Sequence, residues 1–593
     1  MHATLIRNIA FPNQWLKATV ASLFGCLAPG LLFGPGQVAV AEAAHDVVII
    51  NGTIYDGRGG PPYRGEVAID GDRIAYAGAP RGLAGRRVID ASGKAVAPGF
   101  INVLSWSNES LLADGLGQSA LRQGVTLEVM GEGSSMGPWN DAMKAAERGR
   151  QGDLRYDIAW TTLAEYLAHL ERRGVATNVA SFVGAETVRV HVLGEGDTQP
   201  DREQLAAMQA LVQQAMEEGA LGVGSSLIYA PGTYAKTAEL TALVAVAGRC
   251  GGIHITHMRS EGDRLVEAVQ ETIDIARAAG TPAEIYHLKA AGRDNWAKLP
   301  TVIAMIEKAR AEGLRITTDM YTYTAGATGL DAAMPTWVQA GGVEQWIARL
   351  RDPEIRARVL AEMRDPDAGW ENLLRHAGPD QALLLGFKNP KLKPLTGRTL
   401  ADVARERGQS PEETAIDLVI EDGSRVATAY TLMSEDNVRR QIQLPYMSFG
   451  SDAASQSAEG VFLLSSNHPR AYGNFARLLG RYVRDEKLIP LEEAVRRLTS
   501  LPAHNLGLAD RGTLASGHAA DVVVFDPASI TDHATFAQPK RYATGVSHVL
   551  VNGVLTLADG EPTGAKAGRF VRGRAWIGHE GGGCRASSTM WNW

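Results

Sequence analysis

The segment that most constrains the fold of this chain spans residues 250–291. It contains two short β-type runs, and each ends in a histidine with a basic residue two places later: His257 is followed by Arg259, and His287 by Lys289. Between the two runs, apolar residues recur at helical spacing until a glycine, a residue that commonly ends helices. The segment therefore predicts a strand–helix–strand unit of a parallel (β/α) barrel, in which both imidazoles lie at the carboxyl ends of neighbouring strands.

Two imidazoles at the ends of neighbouring barrel strands have two interpretations. Neutral imidazole is a good ligand for Zn²⁺, so the pair favours a metal site. The alternative is a pair of hydrogen-bonded histidines within the core, which is the usual role of a lone buried histidine. The residues of this segment leave both interpretations open.

The composition is that of an ordinary globular protein. The chain has 593 residues, of which 45% are hydrophobic and 21% charged, and its net charge is −7. This length predicts more than one structural unit. The negative balance and the lack of a long basic stretch argue against a nucleic acid or an anionic membrane surface as partner.

Residues 1–44 have the pattern of a secretory signal peptide: scattered positive charge, an apolar run and then small residues. We therefore expect a periplasmic or secreted protein with no membrane span; the alternative is an upstream extension from a mis-assigned start codon. Cleavage would remove Cys26 and leave Cys250 and Cys584. Two cysteines so far apart do not predict a disulfide framework.

Short β-type runs separated by turn signals occur near both ends of the chain, in residues 45–96 and 505–575. Neither segment is large enough to bury a core alone, so we expect them to form one small β-sandwich domain together. The intervening residues 97–504 would form the barrel. Residues 576–593 are rich in glycine, and we expect a disordered tail there.

A series of motifs in this chain resembles the amidohydrolase superfamily and, within it, the N-acyl-D-amino-acid deacylase (D-aminoacylase) branch. The motifs are APGFIN at 97–102, RQGVTLEVMGEG at 122–133, THMRSEG at 256–262, YHLKAAG at 286–292, DMYTYTAG at 319–326, GSDA at 450–453 and RGTLASGHAADVVVFD at 511–526. They occur in family order across residues 45–575. The resemblance implies an α/β fold, a (β/α)8 TIM-type barrel with a small β-sandwich domain built from both chain ends and an inserted lid segment at about 327–384.

The resemblance also implies a metal site with His257 and His287 as ligands. Where the superfamily usually has His-x-His after the first strand, this chain has Leu104-Ser105-Trp106, so we expect a variant branch that binds one Zn²⁺ ion and whose second metal site is absent or badly weakened. D-aminoacylases have a bridging cysteine where this chain has Glu132-Gly133. A carboxylate is a good zinc ligand, so Glu132 is the predicted third ligand; the alternative role for Glu132 is capping a turn.

By the same resemblance, Asp452 is the catalytic residue that accepts a proton from the attacking water and returns it to the leaving nitrogen. Arg470, Lys289 and Tyr323 match the contacts of the substrate carboxylate, for which a guanidinium and an ammonium are suitable partners. Each residue alone would more often be a surface charge or a buried tyrosine. Together they predict a small-molecule amide substrate with a free carboxylate.

The resulting prediction is an exported, metal-dependent hydrolase that cleaves a C–N amide bond, most naturally that of an N-acyl-D-amino acid. One alternative is a dipeptidase or an amidase acting on a hydrophobic amide. A second alternative, from another class, is a non-catalytic binding protein on a degenerate barrel, because the missing His-x-His could mark lost hydrolysis. The sequence leaves the oligomeric state open.

Overall fold

The computed structural model describes residues 44–584. All but the last residue of the predicted signal peptide therefore lies outside the described residues, as do residues 585–593 of the predicted tail. Within residues 44–584, no helix is both long enough and apolar enough to cross a membrane.

The described chain alternates strands and helices over most of its length. The strands are β1 His45–Ile54, β2 Tyr63–Asp70, β3 Arg73–Gly78, β4 Gly85–Asp90, β5 Ala95–Pro98, β6 Phe100–Asn102, β7 Val125–Met130, β8 Asn178–Ser181, β9 Val183–Gly184, β10 Gly222–Ser226, β11 Ile253–His257, β12 Ala283–Ile285, β13 Ile316–Met320, β14 Ala325–Gly329, β15 Ala382–Gly386, β16 Ala427–Thr431, β17 Met447–Phe449, β18 Val522–Phe525, β19 Val546–Val551, β20 Val554–Ala558 and β21 Glu561–Pro562.

The helices follow most of the central strands. They are α1 Ser110–Ala113, α2 Gln118–Leu121, α3 Asp141–Arg150, α4 Leu163–Arg173, α5 Ala185–Leu193, α6 Arg202–Glu217, α7 Thr237–Arg249, α8 Leu265–Ala279, α9 Leu299–Ala311, α10 Val343–Arg351, α11 Pro353–Arg364, α12 Leu373–Ala377, α13 Leu400–Arg407, α14 Pro411–Asp422, α15 Glu435–Ile442, α16 Arg470–Arg477, α17 Leu491–Leu498 and α18 Ser500–Asn505. Capping boxes fix the starts of α4, α6 and α14.

The predicted barrel is confirmed. Parallel strands pair in the orders β6-β7-β8 and β9-β10-β11-β12-β13-β17, and β8 and β9 are consecutive pieces of one strand, which gives eight strand positions. The ring closes where Asp452 N donates to Leu104 O at 2.9 Å and Ser105 pairs with Ala453. The predicted strand–helix–strand unit is β11-α8-β12, and α8 ends at Gly280 with φ +61°.

A β domain built from both chain ends is also confirmed. Strands β1–β5 and β18–β21 are hydrogen-bonded in a single nine-stranded sheet, in which β5 from the first segment pairs antiparallel with β18 from the second. Side chains from both segments, such as Ile49 and Val524, are fully buried in one apolar core. Neither segment could form this core without the other.

The insertion between β13 and β17 is longer than predicted. Strand β16 lies between β14 and β15 in a separate three-stranded sheet, so the unit cannot end near residue 384. Its helices pack around a core of their own that includes Trp346. The insertion reaches the loop after β11 through Glu371, which accepts hydrogen bonds from Ser260 Oγ at 2.5 Å and Glu261 N at 3.0 Å.

Two expectations about the C-terminal residues are wrong. Cys250, just after α7, forms a disulfide with Cys584, a pairing that no sequence pattern indicates. Residues 576–584 are also held in place, because Ile577 N donates to Glu217 O at 2.9 Å before the chain reaches the disulfide. Cys250 and Cys584 are 334 positions apart in the sequence. They meet because the backbone before Cys584 runs along the barrel wall.

Candidate metal centre and active site

The candidate ligands converge at the carboxyl end of the barrel. Glu132 lies two residues after β7, His257 is the last residue of β11, and His287 lies two residues after β12. Asp452 lies three residues after β17. This is the face on which barrel enzymes carry their chemistry, because every strand delivers the residue that follows it to the same place.

Glu132, His257 and His287 form a tight triangle of ligand atoms. Glu132 Oε1 is 3.0 Å from His257 Nδ1 and 3.1 Å from His287 Nε2. Ligand atoms bound to one tetrahedral zinc ion at about 2.0 Å are about 3.3 Å apart, so these separations fit a single ion. Among residues 44–584, these three side chains form the one group of histidine, cysteine and carboxylate atoms close enough to hold a metal.

The charges at this centre favour an ionised Glu132. Its side chain is buried, and burial alone would raise the pKa of the carboxyl. The hydrogen bonds to His257 and His287 outweigh burial and hold the pKa of Glu132 below its ordinary value. The residues therefore fit a divalent cation: one anionic oxygen and two imidazole nitrogens face a common point.

Glu261 is a member of the site that the sequence analysis did not identify. Its Oε1 lies 3.1 Å from His287 Nδ1, and its Oε2 lies 3.6 Å from His257 Nε2, so one carboxylate faces the outer nitrogens of both candidate ligands. Carboxylates in this position orient metal-binding imidazoles. The available signal was the four-residue spacing from His257 in THMRSEG.

Lys289 also lies in the site, but its ammonium group is already partly engaged. Its Nζ is 2.5 Å from Glu261 Oε1 and 2.7 Å from His287 Nδ1. The ammonium donates one of its three N–H groups to Glu261, so at least one remains for a substrate. The position of Lys289 thus suits two tasks: holding the Glu261 carboxylate that faces His287 Nδ1, and facing an anionic ligand.

Asp452 and Arg470 face each other beside the candidate ligands. Arg470 Nη1 lies 2.8 Å from Asp452 Oδ2, and that oxygen lies 4.0 Å from His287 Nε2. Burial raises the pKa of Asp452, partly opposed by the Arg470 and His287 charges. Arg470 is 2% exposed, and its Nε has no hydrogen-bond partner within residues 44–584. A buried, unsatisfied guanidinium donor of this kind indicates a site for an anion.

Two site residues have a backbone conformation that is rare outside glycine. His287 has φ +32° and Asp452 has φ +47°. Hydrogen bonds hold both residues in place: His287 N donates to Asp319 Oδ1 at 3.0 Å, and Asp452 N donates to Leu104 O. Such conformations concentrate at functional sites because the surrounding structure must enforce them.

The predicted carboxylate contact by Tyr323 does not fit the structure. Its hydroxyl donates to Asp532 Oδ2 at 2.6 Å, away from the candidate ligands. Tyr321, two residues earlier, has its ring centre 4.3 Å from the Arg470 guanidinium carbon and 6.1 Å from the His287 ring. The Tyr321 hydroxyl has no hydrogen-bond partner in the described chain, so Tyr321 replaces Tyr323 in the candidate site.

The strand end that lacks His-x-His has a different arrangement. Leu104 is fully buried in an apolar cluster. Trp106 is 40% exposed, and its indole Nε1 donates to Glu132 Oε2 at 2.8 Å and to Asp452 Oδ1 at 3.2 Å. Neither side chain supplies a ligand for a second metal.

The space beside Gly133 is closed by another carboxylate. A Cβ atom at Gly133 would lie 2.3 Å from Glu186 Oε2, so no side chain fits there without displacing Glu186. Glu186 accepts a hydrogen bond from Ser226 N at 2.8 Å, and burial raises its pKa to about 8. Glycine at position 133 is thus a packing requirement, and Glu132 is the candidate ligand at this strand end.

The model of the amidohydrolase family matches residues 87–557. An N-acyl-D-glutamate deacylase of Alcaligenes xylosoxydans xylosoxydans is 33% identical over 537 residues, which are 90% of this chain and 97% of the relative. A D-aminoacylase structure, from work on its binuclear metal centre, matches at 31% identity and TM-score 0.74, covering 89% of this chain and 100% of that chain.

A second structure, of N-acyl-D-glutamate deacylase from Bordetella bronchiseptica, matches at 31% identity and TM-score 0.73, with coverage of 89% and 100%. That protein is complexed with zinc and a phosphonate inhibitor that mimics the tetrahedral intermediate of its reaction.

Proposed function

The chain belongs to the amidohydrolase family, and we propose from this premise that it is an exported, one-zinc deacylase of N-acyl-D-amino acids. The observation that carries the proposal is the triangle of Glu132 Oε1, His257 Nδ1 and His287 Nε2 beside the paired Asp452 and Arg470. This arrangement offers a metal site, a proton acceptor and an anion site within one buried pocket.

In this proposal, His257, His287 and Glu132 hold the metal. A divalent ion held there supplies Lewis-acid chemistry, which polarises an amide carbonyl and acidifies water. A single metal ion per chain is supported by Leu104 and Trp106. Neither side chain can bind a metal, and they lie where the superfamily usually has two metal-binding histidines. Glu261 keeps both imidazoles oriented.

Asp452 moves the proton. Its Oδ2 faces His287 Nε2 at 4.0 Å and can take the proton that the attacking water loses. The same carboxyl then gives that proton to the nitrogen that leaves as the C–N bond breaks. Burial raises the pKa of Asp452 above its ordinary value, which favours its return of a proton to the leaving nitrogen.

Arg470 orients the substrate through its carboxylate. Its buried Nε donor is unsatisfied, and the Tyr321 hydroxyl and the remaining Lys289 N–H lie on the same side of the site. A free carboxylate next to the amide satisfies all three donors. The D configuration is supported by the relatives, an N-acyl-D-glutamate deacylase and a D-aminoacylase.

Export is supported by two independent features. Residues 1–44 have the pattern of a signal peptide, and Cys250 is bonded to Cys584. Disulfides persist in oxidising compartments and are rare in the cytosol. N-terminal sequencing of protein from the native host's periplasm or medium should give a start near residue 45; a full-length chain confined to the cytosol would contradict export.

The function is tested by metal analysis followed by a hydrolysis screen. We expect one zinc per chain after dialysis, and release of the amino acid from N-acetyl-D-amino acids but not from their L enantiomers or from the corresponding amides without a carboxylate. Two ions that resist dialysis would contradict the one-zinc site. Hydrolysis of uncharged hydrophobic amides would favour an amidase, and a metal-free, inactive protein would favour a binding protein.

A further inference from the structure

We infer that the indole N–H of Trp106 is a positioning donor that takes the place of a second cation between Glu132 and Asp452. This inference rests on the metal centre of the proposed function. The Trp106 Nε1 atom is 2.8 Å from Glu132 Oε2 and 3.2 Å from Asp452 Oδ1, so a single donor bridges the two carboxylates.

The two carboxylates need a bridging partner because both are buried and both have a role in the proposed site: Glu132 holds the metal and Asp452 carries the proton. Glu132 is 4% exposed and Asp452 9% exposed. Like charges this close raise each other's energy unless a positive group or a hydrogen-bond donor lies between them. An indole N–H is a donor that cannot accept a proton, so it stabilises both oxygens without adding a charge.

The bridge also determines which oxygen of Glu132 faces the metal site. Oε2 is taken by Trp106, and Oε1 alone faces His257 Nδ1 and His287 Nε2. Glu132 is thereby held as a one-oxygen ligand. Without the N–H, the carboxylate is free to turn and no longer holds Oε1 toward the two imidazole nitrogens.

Other candidate partners for these two oxygens are absent from the described residues around them. Leu104 is buried in an apolar cluster, and the space at Gly133 is filled by Glu186. Arg470 contacts Asp452 at its other oxygen, Oδ2. The backbone of Trp106 is itself fixed, because its N–H donates to Ala453 O at 3.1 Å across the closure of the barrel.

The test compares Trp106→Phe with a matched control, Trp337→Phe. Both changes keep a ring and remove an indole N–H from a carboxylate; Trp337 Nε1 donates to Glu362 Oε2 at 2.8 Å in the insertion, outside the site. Zinc affinity is measured on the full mature chain by competition with a chromophoric chelator. The visible spectrum of the Co²⁺-substituted protein reports the coordination number, and kcat and KM are measured separately.

We expect Trp106→Phe to weaken zinc binding by about 10–100-fold, the usual effect of losing a group that orients a metal ligand. The visible spectrum of the Co²⁺-substituted protein should change, because Glu132 is no longer held in one orientation. We expect kcat to fall more than KM rises, because Arg470 still holds the substrate. Trp337→Phe should match the wild type in all three measurements.

Wild-type zinc affinity and Co²⁺ spectrum in Trp106→Phe would overturn the inference, as would equal changes in Trp337→Phe. If Trp106→Phe does not fold, Trp106→Gln, which restores an N–H donor, should bind zinc with near wild-type affinity; a Gln variant that folds but shows the full loss would also overturn it. A wild-type protein that binds zinc but hydrolyses no N-acyl-amino acid refutes the proposed function and leaves the metal measurements as a valid test of Trp106.

Discussion

Glutamine in place of Glu132 is the most informative change at the metal centre. The substitution keeps the shape of the side chain and removes the one negative charge among the three candidate ligands. In the wild type, Oε1 of this residue lies 3.0 Å from His257 Nδ1 and 3.1 Å from His287 Nε2. We therefore expect Glu132→Gln to lose metal affinity and activity together.

The expected magnitude follows from the position of the charge. The carboxylate is buried, and the two histidines hold its pKa below the ordinary value, so it is ionised when a cation binds. A neutral amide leaves a divalent ion facing two neutral imidazoles in a desolvated site. Removal of a group that only orients a metal ligand lowers metal affinity by about 10–100-fold. Loss of a direct anionic ligand should therefore lower zinc affinity by at least about 100-fold.

The measurement is zinc affinity by chelator competition, together with kcat at saturating zinc. Glu186→Gln is the matched control, because Glu186 is an equally buried carboxyl beside Gly133 and its pKa of about 8 makes it largely neutral at pH 7. The control should keep wild-type affinity. If Glu132→Gln retained both metal and rate, the third ligand would have to be Asp452, and its assignment as the proton carrier would fail as well.

Further predictions concern other residues of the site, the disulfide and Glu371. His287→Ala should lose zinc, whereas Asp452→Asn should keep zinc by elemental analysis and lose about 10²–10⁴-fold in kcat. Glu261→Gln should weaken zinc binding by about 10–100-fold, because it no longer orients both imidazoles; an unchanged affinity would contradict this role. Cys584→Ser should lower the free energy of unfolding in urea by about 2–4 kcal/mol, and reductant should then have no further effect.

Burial raises the pKa of Glu371 to about 7 from its ordinary 4.5, so the folded state binds more protons than the unfolded state between these values. The free energy of unfolding should therefore fall as pH rises from about 4.5 to about 7, by at most about 3 kcal/mol. Glu371→Gln should flatten this part of the curve in urea titrations.

The barrel and its two histidines could be predicted because the signal is local. Each histidine ends a short β run. The helical spacing between the two runs indicates a connecting helix, so the two strands are parallel and both histidines lie at the same end of the barrel. Glu132 could be predicted for a similar reason, since it follows a barrel strand directly. In each case the strand end fixes the position of the residue to within one or two places.

The remaining contacts depend on tertiary structure that no sequence pattern encodes. Tyr321 and Tyr323 both follow β13, and only the packing of Asp532 against Tyr323 decides which tyrosine faces the site. Cys250 and Cys584 are paired because the C-terminal backbone follows the barrel wall. The insertion extends past residue 384 because β16 inserts between two earlier strands, a pairing that a scan along the chain cannot detect.

The charge balance of the site connects the missing His-x-His to the presence of Trp106. Three buried carboxylates, Glu132, Glu261 and Asp452, face two buried cations, Lys289 and Arg470. With both imidazoles neutral as metal ligands, one divalent ion would change the net charge of these five groups from −1 to +1, whereas a second ion would leave +3 in a desolvated site, which is unfavourable without further anions. A neutral indole donor between two of the carboxylates is therefore consistent with a centre built for one ion. In the proposed one-ion centre the residues at positions 104, 106 and 132 act together: Glu132 supplies the anionic ligand, and Leu104 and Trp106 leave no side chain to hold a second metal.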